Sequence, residues 1–441
     1  MMLSKSQYLL SRRKALASLA AVAAHVAVRG NSATAEPIHN NGDPESGAGP
    51  VFSATGPHAE LYGAAAGFPV PSFLQAVRQG NPYKPEYRVG AFSHFDEIYT
   101  TRRIKRAAVP WTFERLPTDI RYSYRGKPSS LTEYLARNPV TGLLIAKDDR
   151  ILFEHYQYGR TDRDRLLSQS MVKSITGILI GIAVSEGAIK SVDDKPETYV
   201  PGFEGTEYGR TPIRDLLHMS SGVDFGEERD SSRDLNRLWR DMVLGLGITT
   251  RGTVNSIAQF NQRIAPPGTR YYYASIEPDV LGVVLHNAVN KSASDYMQEK
   301  VWEPIGAEAD AAWFLDAEGF EVAHFGFNAV LRDYARLGRL LAHDGAWDGK
   351  QIIPAQWMIE ATTVLPSDAH LLPGKAMPEF GYGYFLWLLP GKRRQFAFSG
   401  DLGQRVCVDP ASRLVMVQTA LDGGPEVWRL WAALVEQFGQ E

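Results

Sequence analysis

Apolar and polar positions change period several times along this chain, and the changes mark out its elements. Between Gly142 and Tyr156 two apolar runs, Leu143-Leu144-Ile145 and Ile151-Leu152-Phe153, flank the charged stretch Lys147-Asp148-Asp149-Arg150. That pattern predicts a β-hairpin. Next, Met171, Ile175, Ile178, Leu179, Ile182 and Val184 recur at helical spacing, and Ser185-Glu186-Gly187 ends the run with a glycine. Apolar residues fall on nearly every face, so this helix is expected to be buried. From about 195 to 345 helices alternate with turns, with helices expected at Pro212–Met219, Pro278–Asn287 and Val330–His343. Strand patterns return at Gln395–Ser399, Arg405–Val408 and Leu414–Ala420, the last two joined by Asp409-Pro410-Ala411-Ser412. Glu426–Phe438 is an amphipathic helix with Trp428, Leu430, Trp431, Leu434 and Phe438 on its stripe. The expected fold class is α+β: an antiparallel sheet built from N- and C-terminal strands, flanked by helices, with an inserted helical region at about 195–345.

Less regular stretches precede this core, which is read as one domain over 132–441. Residues 64–131 mix Pro, Tyr and basic residues with little periodicity and read as an extended arm wrapping the core; residues 36–63 read as a flexible linker. The first 35 residues look like an address. Basic Lys5 and Arg12-Arg13-Lys14 precede the apolar run Ala15–Val28, and Ala33-Thr34-Ala35 has the small-x-small form of a cleavage site. Ser11-Arg12-Arg13-Lys14-Ala15-Leu16 resembles the twin-arginine export motif, which predicts a periplasmic protein cleaved after Ala35. The apolar run is too short for a bilayer core of roughly 30 Å, so no stable membrane insertion is expected.

Composition narrows the chemistry. With 47 Lys and Arg against 50 Asp and Glu, the net charge of -3 leaves no basic surface for nucleic acid. Cys407 is the single cysteine, which excludes an intrachain disulfide and a Cys-based zinc or iron–sulfur site. The 10 histidines form no HExxH motif. A metal-free globular protein is the default on these counts, which turns attention to side chains able to carry chemistry unaided.

Ser170-Met171-Val172-Lys173 offers such side chains. On a helix, residues three apart are neighbours, so the hydroxyl and amine share a face. Ser170 opens the buried helix, which aims its backbone N–H and the helix dipole at an incoming oxyanion. One turn inside an apolar helix, Lys173 would be desolvated, favouring the neutral amine that acts as a base. Ser11-Arg12-Arg13-Lys14 satisfies the same spacing, but only Ser170 follows a hairpin and opens an apolar helix. A second motif is Pro267-Gly268-Thr269-Arg270-Tyr271-Tyr272-Tyr273-Ala274-Ser275, a turn feeding an aromatic run that would equally suit a core.

The order of these motifs, with Ile213-Arg214-Asp215-Leu216-Leu217-His218-Met219-Ser220-Ser221-Gly222 between them, resembles the serine β-lactamase and penicillin-binding protein superfamily over residues 140–440. Gly181-Ile182-Ala183-Val184-Ser185-Glu186-Gly187, ahead of Asp193-Asp194, is also similar. The resemblance implies Ser170 as nucleophile, Lys173 as its base partner and Tyr273 as general acid/base. It implies substrate contact by Ser275, where Asn is commoner. The superfamily's third motif, Lys-Thr-Gly or His-x-Gly, is replaced by Phe396-Ala397-Phe398-Ser399-Gly400-Asp401-Leu402-Gly403-Gln404, with Phe398 at the Lys/His place. His343-Asp344-Gly345 fits His-x-Gly in letters only, being a loop after a helix. Phe398, Ser399 and Gly400 would line the substrate, and the Asp401 N–H would join that of Ser170 as oxyanion donor. Without the cation a substrate carboxylate loses its partner, which argues against an efficient β-lactamase or D-Ala-D-Ala peptidase.

Tyr273-Ala274-Ser275 followed by Asp279-Val280-Leu281, together with Gly400-x-x-Gly403-Gln404 and Val408-Asp409-Pro410, is similar to the 6-aminohexanoate-dimer hydrolase and β-lactamase-like esterase branch. Amide-cleaving members carry a tyrosine on the loop after Ser-Gly. Here the loop reads Val223-Asp224-Phe225-Gly226-Glu227-Glu228-Arg229-Asp230, which makes hydrolysis of nylon oligomers doubtful. Glu227, Glu228 and Arg229 either touch substrate or, as charged loops more often do, form a solvated surface. The expected function is a serine hydrolase that cleaves a small ester or amide through an acyl-enzyme on Ser170, a mechanism that implies no metal or organic cofactor. The alternatives are a β-lactamase or DD-peptidase, and a non-catalytic cell-wall or peptide binder on the same fold.

Overall fold

The computed structural model describes residues 49–64, 84–227, 233–248 and 251–439. The expected export segment, Glu228 and Arg229 lie outside them. The spine is a sheet of five long strands: β1 (Val140–Lys147), β2 (Arg150–Tyr156), β3 (Phe396–Gly400), β4 (Gln404–Asp409) and β5 (Leu414–Ala420). Their spatial order is β2-β1-β5-β4-β3, all antiparallel, with β5 joining the two halves from Leu414↔Lys147 to Ala420↔Val140. Short strands Trp387–Leu388 and Gly381–Tyr382 extend the sheet beyond β3. At the other edge Val51–Phe52 and Glu114–Arg115 pair with β2 in parallel. The sheet is therefore not wholly antiparallel, and the stretch read as a linker supplies one of its edge strands.

Strict alternation sends side chains to two cores. Leu144, Val417, Val406 and Phe398 face one core. Helices α1 (Met171–Ser185), α2 (Ile276–Val289) and α3 (Leu331–Ala342) complete that side, the last through Leu337 and Leu341. Leu143, Ile145, Met416 and Cys407 face the other, closed by Leu430, Trp431 and Leu434 of α4 (Glu426–Phe438). Helix α3 was expected in the insertion, but it lies on the sheet. A Cβ at Gly338 would sit 2.5 Å from Val415 Cγ1 and 3.1 Å from Val406 Cγ1, so glycine lets the helix backbone approach the strands. Among the described residues no helix is long and apolar enough to cross a membrane.

The arm is also more regular than its sequence suggests. Thr101–Ile104 pairs with Ala311–Phe314, which pairs with Phe327–Ala329, which pairs with Leu166–Leu167. This second sheet places strands inside the region expected to be helical. Phe95 anchors the arm, its ring 5.3 Å from both Phe314 and Phe325 in edge-on contacts. The arm's lack of periodicity reflects short elements buried on several sides, since Phe92, Phe95, Ile104 and Phe113 are all in the core.

Candidate active site

The second sheet ends at Ser170. Ser168 donates its N–H to Phe327 O at 2.8 Å, and Phe327 N–H returns to Ser168 Oγ at 3.2 Å. These bonds hold the next residue, Gln169, at φ 49, a left-handed conformation that costs a non-glycine residue about 1–3 kcal/mol. The sharp elbow delivers Ser170 to the N-cap of α1, where its side chain makes no capping bond. The hydroxyl instead accepts from Lys173 Nζ at 2.8 Å. Lys173 is 2% exposed; it also donates to His324 O at 3.0 Å and lies 4.9 Å from the centre of the Tyr273 ring. The three residues singled out by the first two motifs thus meet at one point.

Tyr273 is held by the stretch that precedes it in sequence. Gly268 donates to Ser220 O at 2.9 Å, Tyr272 N–H to Met219 O at 2.8 Å, and Ala274 N–H to Met219 Sδ at 3.4 Å. Half-buried, Tyr273 lines the cleft, with its ring edge-on to Tyr382 at 6.4 Å. His218, in the same stretch, packs against the Tyr384 ring at 4.8 Å in a tilted contact. Burial, with repulsion from Arg214 and His370, lowers its pKa to about 3. An unfolded histidine titrates near 6.5, so below that pH the unfolded chain takes up a proton that the fold refuses. Stability should therefore fall as pH drops from about 6.5 towards 3, by the order of a few kcal/mol from this group. We expect His218→Gln to flatten that loss in urea titrations at successive pH values. A wild-type-to-variant gap that stays constant with pH would count against it.

Ser275 sits at the N-cap position of α2 without a capping bond, and its hydroxyl is committed elsewhere: it donates to Glu227 Oε1 at 2.6 Å, and its N–H donates to Glu227 Oε2 at 2.8 Å. Ser275 can therefore offer the cleft only lone pairs. Glu227, which the sequence leaves between substrate contact and a solvated surface, is half-buried in the cleft wall as the clamp on this helix start. Further along α2, buried Asp279 accepts from Ala323 N–H at 2.9 Å through one oxygen and meets His324 Nδ1 at 2.7 Å through the other. It thereby pins the backbone whose carbonyl receives Lys173. No motif flagged His324. Its only signal is a His-Phe-Gly run after a buried strand, which carries no spacing rule.

The far wall is the end of β3. Ser399, Gly400 and Asp401 line the cleft, but Phe398 does not. Phe398 is 0% exposed and shares its strand face with Phe396, packed into the core under α1. The expected substrate contact by Phe398 is therefore corrected by strand alternation. Gly400 presses on the elbow: a Cβ there would sit 2.5 Å from Ser168 O and 2.9 Å from Gln169 Cβ. This approach sets the end of β3 against the elbow that precedes Ser170. A cation missing from β3 is present on β4, because Arg405, paired across from Ser399, also lines the cleft. Arg405 Nη1 donates to Gly400 O and, at 2.6 Å, to Gln404 O, and the guanidinium lies 5.3 Å from the Trp428 ring centre. Burial lowers its pKa, with Cys407 and Asp401 acting in the opposite sense. An arginine alternating with Val406 and Cys407 looks in sequence like any solvent-side strand residue.

The cleft between these walls has a volume of about 2010 Å³. No group of His, Cys, Asp or Glu among the described residues is arranged to hold a metal ion. A serine hydroxyl at a helix start, an amine on it and a phenol beside the amine make a site able to form and break a covalent ester.

Comparisons with known proteins agree with this architecture. The chain is 25% identical over 387 residues to a 6-aminohexanoate-dimer hydrolase of Paenarthrobacter ureafaciens, covering 86% of this chain and 95% of the relative. A Bacillus anthracis protein assigned as a 6-aminohexanoate-dimer hydrolase superposes with a TM-score of 0.72 at 21% identity, over 82% of this chain and 97% of that one. A family VIII carboxylesterase superposes at 0.54 with 18% identity, over 69% and 94% of the two chains. These superpositions establish the fold, and a family model described as Beta-lactamase matches residues 130–437, so the chain belongs to the Beta-lactamase family.

Proposed function

We propose that this β-lactamase-fold hydrolase is a serine hydrolase that cleaves a small ester or amide through an acyl-enzyme on Ser170. The observation that carries the reading is the 2.8 Å contact of Lys173 Nζ with Ser170 Oγ, at a helix start and beside Tyr273. Lys173 and Tyr273 share the removal of the Ser170 proton as Oγ attacks the carbonyl carbon. The resulting oxyanion is received by the N–H groups of Ser170 and Asp401. On collapse the carbon–oxygen or carbon–nitrogen bond breaks, and Tyr273 returns the proton to the leaving alcohol or amine. Water then attacks the acyl-enzyme, releasing the acid and restoring the Ser170 hydroxyl. The Asp279 grip on residues 323–324 keeps the lysine aimed. We expect Asp279→Ala to slow labelling of Ser170 by a fluorophosphonate about 10- to 100-fold, through misplacement rather than lost chemistry. Stopped-flow labelling with a parallel melting curve checks this; an unchanged rate would show that the grip is unnecessary.

One observation favours a second reading. Arg405 supplies, from β4, the cation that a β-lactam carboxylate needs and that β3 lacks. Intact-mass spectrometry after a fluorophosphonate, and in parallel after penicillin, tests both. A fluorophosphonate adduct on Ser170 with no penicillin adduct supports the esterase or amidase. A lasting penicillin adduct supports a penicillin-recognising enzyme. Failure of both reagents would leave a binding protein. Export to the periplasm is part of the proposal, and sequencing the mature N-terminus would test cleavage after Ala35.

A further inference from the structure

One side of the cleft is made of rings. Trp239, half-buried, has its ring centre 5.6 Å from Phe314 and 5.8 Å from Phe325, which lie 6.2 Å apart and perpendicular to each other. Phe95 and Tyr99 back these rings from the arm, Tyr99 at 5.4 Å from Phe314, so the wall is packed in place. Ile98 and Leu244 continue it along the cleft. The wall begins beside the reacting groups: Trp239 is 6.2 Å from the His324 ring, and the His324 carbonyl accepts from Lys173.

Glu97, Asp316 and Glu318 line the cleft near this wall, and each already has a partner in its own chain, Glu97 Oε1 meeting His94 Nδ1 at 2.9 Å. Asp316 Oδ1 accepts from the N–H groups of Glu318 and Phe320, each at 2.9 Å, while Oδ2 takes the Thr253 hydroxyl. Glu318 Oε2 accepts from Thr253 N–H at 2.8 Å. These carboxylates are anchored by their own chain away from the ring faces, and a charged group lying against the rings would give up hydration there. An apolar group there would leave water against fixed aromatic faces.

We propose that Trp239, Phe314 and Phe325 form a subsite for an uncharged alkyl or aryl group on one side of the scissile bond, so that the substrate is a hydrophobic ester or amide. This rests on the serine-hydrolase reading. It differs from what the name of the curated relative implies, whose 6-aminohexanoate chains carry an amine.

The test compares kcat/KM for p-nitrophenyl acetate, hexanoate and 6-aminohexanoate, and for butyl and benzyl acetate against methyl acetate, in wild type, Trp239→Ala and Trp239→Phe. We expect the longer uncharged group to be favoured at least about tenfold in one of the two series. Trp239→Ala should reduce that preference by about tenfold, and Trp239→Phe should keep most of it. No dependence on chain length, a preference for 6-aminohexanoate over hexanoate, or an equal loss on all substrates in Trp239→Ala would overturn the subsite. Calorimetric binding of N-phenylhexanamide to Ser170→Ala protein, with and without Trp239→Ala, separates the two readings. Binding that depends on Trp239, where the wild-type protein hydrolyses no ester of either series, would remove the hydrolase reading and keep the subsite. Binding indifferent to Trp239 would remove the subsite whatever the turnover.

Discussion

Ser170→Ala should lower turnover of a p-nitrophenyl ester by at least about 10⁴-fold while leaving the melting temperature within a degree or two of wild type. The separation of the two effects follows from the local structure. Ser170 sits at the N-cap of α1 without a capping bond, so removing its hydroxyl frees no helix N–H. The elbow is held by Ser168 and Phe327, not by Ser170. Lys173 keeps the His324 carbonyl as acceptor when Oγ is gone. The measurement is steady-state hydrolysis with a melting curve on the same sample. Turnover within tenfold of wild type would mean that another group carries the reaction.

Gly400→Ala should cost about 100- to 1000-fold in kcat with a much smaller change in KM, the range seen when one oxyanion donor is lost. At φ -121 and ψ 157 the backbone of Gly400 is ordinary extended strand, so its need for glycine is purely steric. The added methyl would meet Ser168 O at 2.5 Å, a backbone atom that cannot yield without disturbing Gln169 at its left-handed φ. Relief comes most easily by moving the end of β3 outward, and the Asp401 N–H moves with it. Ser399→Ala, one residue earlier on the same strand, adds no atom and should retain most activity. Equal kcat in Gly400→Ala and wild type would show that the β3 edge takes no part in stabilising the transition state.

Much of the frame was readable because period and position were unambiguous. Leu414–Ala420 and Glu426–Phe438 have the expected bounds, and the Gly142–Tyr156 hairpin turns at the charged residues. Ser170, Lys173 and Tyr273 were readable for a different reason: helix geometry ties the first two together, and the resemblance supplied the third. What escaped were features set by pairing across distant segments. Phe398 could be placed on a strand, but which face met water depended on α1 packing against it. Asp279 acts through residues 44 and 45 positions away and Arg405 across a strand pair, and a lone charged residue in an apolar run carries no mark of that. Thr101–Ile104 failed every period test because a four-residue strand is too short to show alternation, and its partner lies in a region dominated by helices.

That short strand has a consequence for where the molecule can be cut. The family match begins at residue 130, yet Thr101–Ile104 covers one side of Ala311–Phe314. A chain trimmed to the matched region would leave Ala311–Phe314 with a bare row of unpaired backbone groups, carrying two large aromatics, Trp313 and Phe314. Such a row is a template for self-association. It would also strip Phe95 from behind the rings of the cleft. The region matched by the family model is thus smaller than the unit that keeps this edge paired, and the arm belongs to the second.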